Sequence, residues 1–434
     1  MKCLRMLSGP ILLMFSLSAH AILTIEISGG SDSAMPIAIV PFGSNSAEGQ
    51  LPVDVAEVIT ADLVRSGKFK PLPVEDMLER PHRGSDIKFE NWRVIGIDSL
   101  VVGNVRRETG GQYTVEFQLF DVFKARQIES LSRIVPARGL RTIAHTMADL
   151  IYEALTGEKG AFNTRIAYVT SVKTAAGLEY RLQIADTDGH NAQTVLRSKK
   201  PIMSPSWAPD ARRLAYVSFE NHRPEVFIHS VFEASRESVA AFDGINGAPV
   251  WSPDGRRLAL TLSHNGNPDI YILELGSKRL LQITRNSAID TEPAWMPNGR
   301  ELIFTSGRSG GPQLYKTSLD GNDARRLTFE GSYNASPTVS PDGLSVAMVH
   351  LHQGQYRIAV LDLKSGLFRI LTDGRLDESP SFSPNGSILL YASQQGNRNV
   401  LAAVSVDGRT RQRLAFSEGD IREPDWAPFP AGQR

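Results

Sequence analysis

Pro249-Val-Trp-Ser-Pro-Asp-Gly-Arg-Arg-Leu-Ala-Leu260 is one of six copies of a single pattern, and its reading decides the fold. The other copies are Pro205-Ser-Trp-Ala-Pro-Asp-Ala-Arg-Arg-Leu-Ala-Tyr, Pro293-Ala-Trp-Met-Pro-Asn-Gly-Arg-Glu-Leu-Ile-Phe, Pro337-Thr-Val-Ser-Pro-Asp-Gly-Leu-Ser-Val-Ala-Met, Pro380-Ser-Phe-Ser-Pro-Asn-Gly-Ser-Ile-Leu-Leu-Tyr and a truncated Pro424-Asp-Trp-Ala-Pro. The leading prolines stand 44, 44, 44, 43 and 44 residues apart. A period of about 40–45 residues is that of a four-stranded propeller blade.

The chemistry within each copy supports strands. Pro-Asp/Asn-Gly is a hairpin turn: Pro presets φ, Asp or Asn caps the turn, and Gly supplies φ > 0. Ala211 stands in for that Gly in the first copy, at a cost of about 1–2 kcal/mol if the left-handed geometry is kept. The leading Pro cannot donate to a ladder, so it suits the start of an edge strand lining the central channel. Trp207, Trp251, Trp295 and Trp426 occupy one repeat position, with Val339 and Phe382 in the other copies. A large apolar residue recurring there predicts packing between neighbouring blades. The sixth copy stops after one strand, and Arg165-Ile-Ala-Tyr-Val-Thr matches Arg213-Leu-Ala-Tyr-Val-Ser of the next blade. The ring is therefore expected to close by pairing early strands with the last inner strand, which removes exposed edges. Six blades result.

Working outward, residues 1–21 carry a basic start (Lys2, Arg5), an apolar run (Ile11 to Leu17) and Ala19-His20-Ala21. That arrangement predicts a signal peptide cleaved after Ala21, since the run is shorter than the roughly 20 residues a membrane span needs. Cleavage removes Cys3, the only cysteine, and leaves 45 basic against 47 acidic residues. No disulfide is then available in an oxidising compartment. The near-neutral balance argues against a nucleic-acid binder, and no later segment reads as a membrane span.

Residues 22–160 lack the repeat and read as a small α/β domain. Pro36-Ile-Ala-Ile-Val-Pro-Phe is a buried strand, and Val53 to Ser66 an amphipathic helix with Val55, Ile59 and Leu63 on one face. Ser99 to Val105, Tyr113 to Leu119 and Gln127 to Val135 read as strands. Leu140 to Thr156 is a second helix, with Gly157 as its C-cap. Glu158-Lys-Gly-Ala connects this domain to the propeller, residues 161–434, too briefly for free swinging.

The search for chemistry returns little. Gly307-Arg-Ser309-Gly-Gly matches the nucleophile elbow of hydrolases, which works only between a strand and a helix; here it falls between two strands. His350 and His352 share a strand face, yet zinc needs three or four ligands, and a solvated blade end is the plainer reading. Asp186-Thr-Asp188-Gly189 looks like part of a calcium loop but lacks the distal Glu and reads as a turn. Neither catalytic residue, metal site nor cofactor is read from the sequence. The residues preceding the channel strands are more informative: Asn246-Gly247-Ala248, Asp290-Thr291-Glu292, Asn334-Ala-Ser336, Asp377-Glu378-Ser379 and Ile421-Arg-Glu423. As loops brought to one mouth of the channel, they form either plain polar turns or a concave funnel for a protruding ligand.

With these features placed, the whole chain resembles the TolB family, periplasmic components of the Tol-Pal system. The likeness rests on the combination of segments, and on Pro36-Ile-Ala-Ile-Val-Pro-Phe, Arg65-Ser-Gly-Lys-Phe, Leu155-Thr-Gly-Glu-Lys-Gly-Ala-Phe and Thr164-Arg-Ile-Ala-Tyr-Val. The resemblance implies a non-enzymatic scaffold, monomeric on its own, that supports outer-membrane integrity and envelope constriction during cell division. It implies docking of Pal, the peptidoglycan-associated lipoprotein, in the funnel, with Asn246, Gly247, Ala248, Thr291 and Glu292 at the contact. Other outer-membrane lipoproteins and bacteriocins are implied visitors to the funnel. Ile245 departs from the histidine that relatives carry before Asn-Gly-Ala. The resemblance also assigns TolA binding to the mature start, Ile22, Leu23, Thr24, Ile25, Glu26, Ile27, Ser28, Gly29, Gly30, Ser31, Asp32 and Ser33. Its apolar–polar alternation suits a strand added to a partner's sheet or folded back on its own domain. A propeller-based hydrolase and a small-ligand or glycan-binding propeller stay open as alternatives.

Overall fold

The computed structural model describes residues 25–28, 34–44, 51–233, 235–321, 323–414 and 419–430. The signal peptide expected over residues 1–21, together with Ile22–Thr24 and Gly29–Ser33 of the N-terminal segment, lies outside the described residues.

Each repeat turn does what its residues dictate. In the second copy Ser252 N–H donates to Arg257 O (2.9 Å) and Gly255 N–H to Ser252 O (2.8 Å). Asp254 accepts from Ser252 Oγ (2.5 Å) and Arg256 N–H (3.0 Å). Gly255, Gly299, Gly343 and Gly386 adopt φ of 68°, 66°, 73° and 74°, and Ala211 accepts the same strain at φ 54°. These turns join the inner two strands of antiparallel four-stranded blades. Blade two, for example, runs Asn246–Trp251, Arg257–Leu262, Asp269–Glu274 and Leu280–Gln282. Blade one begins at the inner strand Ile202–Trp207, blade three at Asp290–Trp295, blade four at Asn334–Val339 and blade five at Asp377–Phe382. Blade six combines Arg165–Thr174, Gly177–Asp186 and Gln193–Ser198 with the final strand Asp420–Trp426. That final strand pairs with the Arg165 strand, Trp426 opposite Ile166, so six blades close the ring at the expected seam.

The recurring tryptophan locks blade to blade. Trp251 is buried among blade-one and blade-two residues such as Ala215, Val226, Leu258 and Leu260. Its Nε1–H donates to Ser206 O of blade one at 3.2 Å, and Trp295 donates to Val250 O of blade two at 3.3 Å. Arg213 and Arg257 guanidinia lie 4.6 and 4.8 Å over the Trp251 and Trp295 rings, a cation–π contact that also shields the ring from water. Burying such a side chain is worth about 1.5–3 kcal/mol.

The N-terminal domain is a mixed sheet ordered Phe69–Pro71, Met35–Ile39, Ser99–Arg107, Gln112–Asp121, Arg126–Pro136, parallel on the first side and antiparallel beyond Ser99–Arg107. Helix α1 (Val55–Arg65) starts at Asp54, whose carboxylate accepts from Glu57 N–H (3.1 Å). Helix α2 (Phe89–Val94), not expected from the sequence, buries Trp92 against Leu100, Val102 and Phe120. Helix α3 (Leu140–Thr156) ends at Gly157, φ 76°. Helices α1 and α3 share one apolar core with the sheet, including Ile59, Leu63, Val101, Phe117, Met147 and Ile151. No helix among the described residues is long and apolar enough to cross a membrane.

The two domains are in direct contact. Gln412 of blade five donates to Arg65 O, Asn385 donates to Lys159 O (2.8 Å), and Arg141 of the N-terminal domain pairs with Asp188 of blade six. Ile25–Ser28 departs from expectation. It pairs antiparallel with Arg411–Leu414, the outer strand of blade five, as a fifth strand. The segment therefore folds back on the propeller and not on the α/β domain, because that blade edge offers a free row of backbone groups beside the domain contact.

Candidate functional site

The prolines do not begin the inner strands. The strands start three residues earlier, or four in blade six, so Asn246, Asp290, Asn334 and Asp377 are strand residues, and the expected funnel loops are corrected to the entry halves of the strands themselves. Every inner strand bulges at its proline. In blade two, Gly247 pairs with Thr261 and Val250 with Ala259, leaving Ala248 and Pro249 opposite Leu260 alone. The same shift occurs in all six blades. The residue before each proline, Ser204, Ala248, Glu292, Ser336, Ser379 or Glu423, sits in the left-handed region with φ between 44° and 54°. None is glycine, so each costs about 1–2 kcal/mol, and such strain collects where a site is being shaped.

Side chains from neighbouring blades hold the bulges. Glu292 Oε2 accepts from Thr305 Oγ1 and Ser336 N–H, both at 2.8 Å, and its Oε1 accepts from Ser336 Oγ at 2.8 Å. Glu423 likewise accepts from Ser204 N–H. In both pairs the carboxylate before one proline caps the amide before the next. Asp425 straddles the seam: it accepts from Trp207 N–H of blade one (2.7 Å) and Ser381 Oγ of blade five (3.0 Å). Ser381 Oγ accepts in turn from Trp426 N–H (2.9 Å). Burial pushes the Asp425 carboxyl up to about 6. It also raises Glu423 and Glu378.

Together the bulges enclose a channel cavity of about 550 Å³, lined by Ala248, Glu292, Ser336, Glu378, Glu423 and Asp425 with the prolines, Tyr333 and Tyr356. Its wall is rich in carboxylates carried on hydrogen-bonded strands, a chemistry suited to polar or cationic groups. The strand-entry residues behave differently. Asn246, Asp290 and Asp377 are buried and turn into the blades. Asn246 bonds Phe242 N–H and O (2.9 and 2.6 Å), Asp290 accepts from Arg308 (2.7 Å), and Asp377 accepts from Ser393 Oγ (2.6 Å). Burial raises the Asp290 and Asp377 carboxyls. These three brace the mouth from behind, because each must tie the incoming chain to its own blade. Gly247 and Thr291 are half-buried between the brace and the bulge, Thr291 Oγ1 lying 3.3 Å from Thr261 Oγ1. Exposed at the mouth are Met203, Ile245 and Ile289. Met203 and Ile289 were not singled out in the sequence, although Ile289 aligns with Ile245 at the fourth residue before each proline.

Two of the remaining motifs lie behind the mouth, Arg308 of Gly307–Gly311 against Asp290 and His350 against Asn334. Gly307–Gly311 forms the hairpin between Glu301–Ser306 and Gln313–Ser318, with strands on both sides. His350 is buried, not solvated, its Nδ1 2.9 Å from Asn334 Oδ1. Asp188 does lie in a turn, yet it is buried against α3. With Asp62 and His145 it is the one group among the described residues whose donor atoms, all within 4.8 Å, invite a metal. Arg65 and Arg141 already pair with the same two carboxylates, so the charge is balanced and the group does not fit a divalent cation.

Comparison with known proteins places this geometry. A family model described as the TolB beta propeller domain matches residues 152–430, and one described as the TolB amino-terminal domain matches residues 23–128. The chain is 63% identical over 429 residues to the Tol-Pal system protein TolB of Nitrosococcus oceani, covering 98% of each chain. It is 60% identical over 417 residues to that of Thioalkalivibrio sulfidiphilus, covering 96% of each. The crystal structure of TolB from Acinetobacter baumannii has a TM-score of 0.86 at 42% identity, spanning 94% of this chain and 100% of that one.

Proposed function

The chain belongs to the TolB family of Tol-Pal system proteins, and on that premise we propose that it is a periplasmic, non-enzymatic scaffold with two protein partners. Pal docks at the mouth of the propeller channel, and TolA takes the mature N-terminal segment. The pairing supports outer-membrane integrity and envelope constriction at division, and the same mouth admits bacteriocins. The observation that carries the first contact is the rigid mouth itself: six braced bulges around a polar cavity, with Met203, Ile245 and Ile289 exposed on the rim. Exposed apolar side chains beside a concave polar pocket offer both anchors and a receptacle for a protruding protein loop. The pairing of Ile25–Ser28 with blade five supports the second contact, since a strand that completes its own blade edge is shaped to complete a partner's. Leaving one edge is then the condition for joining the other.

The test uses surface residues, because Glu292 and Asp425 also hold blades together. Ile245→Asp with Ile289→Asp is expected to abolish capture of purified Pal while leaving the thermal midpoint unchanged. Full retention of Pal by this variant would move the contact elsewhere. Deleting Ile22–Ser33 is expected to spare Pal and eliminate TolA binding. A glycan retained by the channel in the absence of Pal would favour the ligand-binding reading, for which a cavity of this size is in range.

A further inference from the structure

Away from the channel, a second polar cluster lies between the domains. Helix α1 contributes Asp62 and Arg65, helix α3 contributes Arg141, His145 and Asp149, and the blade-six turn contributes Asp188 and His190. His145 is 2% exposed. Its Nδ1 lies 2.6 Å from Asp62 Oδ2, and its Nε2 lies 3.6 Å from Asp188 Oδ2 on the propeller. Nε2 makes no hydrogen bond, although it is buried and faces that carboxylate. Arg141 pairs with Asp188 and Arg65 with Asp62, while the half-exposed His190 reaches Asp188 from the solvent side (3.5 Å). One turn along α3 from His145, Asp149 accepts from Phe162 and Asn163 N–H (2.7 and 3.1 Å) and so pins the connector. A side chain at Gly160 would collide with Asp149, so the connector lies flat on the helix.

We propose that this contact is a proton-operated latch in which a charged His145, held between Asp62 of its own domain and Asp188 of the propeller, fastens the two domains together. The charged imidazole donates from Nδ1 to Asp62 and turns its Nε2–H toward Asp188, an ion-pair contact across the two domains. The neutral ring keeps Nδ1–H for Asp62 and turns an Nε2 lone pair toward the Asp188 carboxylate, which repels it. With protons on both His145 and Asp149, three cations (Arg65, Arg141, His145) face two anions (Asp62, Asp188) and a neutral Asp149; with both off, two cations face three anions in the buried interface.

The titration supports the same direction. Burial opposes the charged imidazole, but Asp62 and Asp188 outweigh it and hold His145 above its ordinary 6.5. Burial also raises Asp149, to about 7. Both groups therefore bind protons more tightly in the fastened state than in the opened one. The His145 contribution is full below pH 6.5 and the Asp149 contribution below pH 3.8, and both are lost as pH rises through the raised values. Each pH unit by which fastening raises a group's affinity changes the closed-to-open ratio about tenfold.

The experiment is amide hydrogen exchange on the full mature chain, following the connector (Phe162, Asn163) and the turn (Gly189, His190) from pH 5.5 to 8.5. Wild type is compared with His145→Gln, which cannot charge, and with Asp188→Asn, which removes the propeller carboxylate but leaves the Asp62–His145 pair. Comparing one amide at one pH cancels intrinsic exchange chemistry. Wild type is expected to be slower than either variant at pH 5.5 by several-fold or more, and to converge with them by pH 8.5. His190→Gln is expected to keep the wild-type profile. A variant-to-wild-type ratio that stays flat across this range, or convergence lost in His190→Gln instead, would overturn the latch.

Discussion

Asp425 makes a sharp test of how the ring is sealed. The carboxylate accepts from Trp207 N–H and Ser381 Oγ, so it joins the last strand to the blades on both sides. Burial lifts its carboxyl from 3.8 to about 6. A folded pKa above the unfolded one means that the folded form holds the proton more tightly. The group's favourable contribution is therefore full below pH 3.8 and is lost as pH rises through 6. At about 1.36 kcal/mol per unit, the shift of about two units is worth about 3 kcal/mol; channel water reduces this to about 1–2 kcal/mol. Asparagine fits the same space: Oδ1 accepts from Trp207 N–H, and Nδ2 donates to Ser381 Oγ, which has a lone pair left after Trp426 N–H. Asp425→Asn should thus cost little at pH 5 and gain about 1–2 kcal/mol over wild type by pH 8. Asp425→Ala strands Trp207 N–H and should cost about 2–4 kcal/mol throughout. Urea unfolding of the propeller, read by tryptophan fluorescence at pH 5, 6, 7 and 8, gives both curves. Parallel curves for wild type and Asp425→Asn, or an Asp425→Asn midpoint at pH 8 as low as that of Asp425→Ala, would refute the assignment.

Two further substitutions test the repeat itself. Ala211→Gly relieves the only non-glycine in the equivalent hairpin position, φ 54°, and should raise stability by about 1 kcal/mol, seen as a rise of about 2–4 °C in Tm; a lower Tm would show that Ala211 is unstrained. Trp251→Phe removes the donor to Ser206 O and weakens the Arg213 contact, for an expected loss of about 1–3 kcal/mol. Unchanged urea midpoints would mean that the ring alone holds the blades.

What the sequence disclosed and what it concealed divide along a physical line. The leading proline recurs six times, the turn that follows it five times and the tryptophan four times, local signals that made blade count and inter-blade packing legible. The seam was legible too, because Arg165–Thr170 repeats Arg213–Ser218. The bulges were not: nothing in Ala248, Ser336 or Glu423 announces a left-handed backbone, which arises from fitting six strands around a narrow axis. Only the Glu-Pro copies followed by Ser-Pro copies, Glu292 with Ser336 and Glu423 with Ser204, carried a trace of it. For the same reason, Asn246, Asp290 and Asp377 read as rim residues although their side chains brace the blades from within. The alternation from Leu23 to Ile27 announced a strand but not its neighbour, since Arg411–Leu414 lies nearly 400 residues away. Asp188 resembled an ion-binding loop because its true partners, His145 and Arg141, sit on a helix of the other domain.

The seam between Ile166 and Trp426 spans 260 residues of chain, which sets an order on how the molecule is made. The four core strands of each of blades one to five follow one another, so each can assemble as soon as its own segment is available, blade five then taking Ile25–Ser28 onto its outer edge. Blade six cannot. Its first three strands are complete by Ser198, yet they must wait with the Arg165–Thr174 edge unpaired until the last few residues arrive. Closing so long a loop is the slow, non-local step, and until it happens the nascent ring is a horseshoe with a sticky end. A chain that stopped before Asp420 would lose not one strand but the circle.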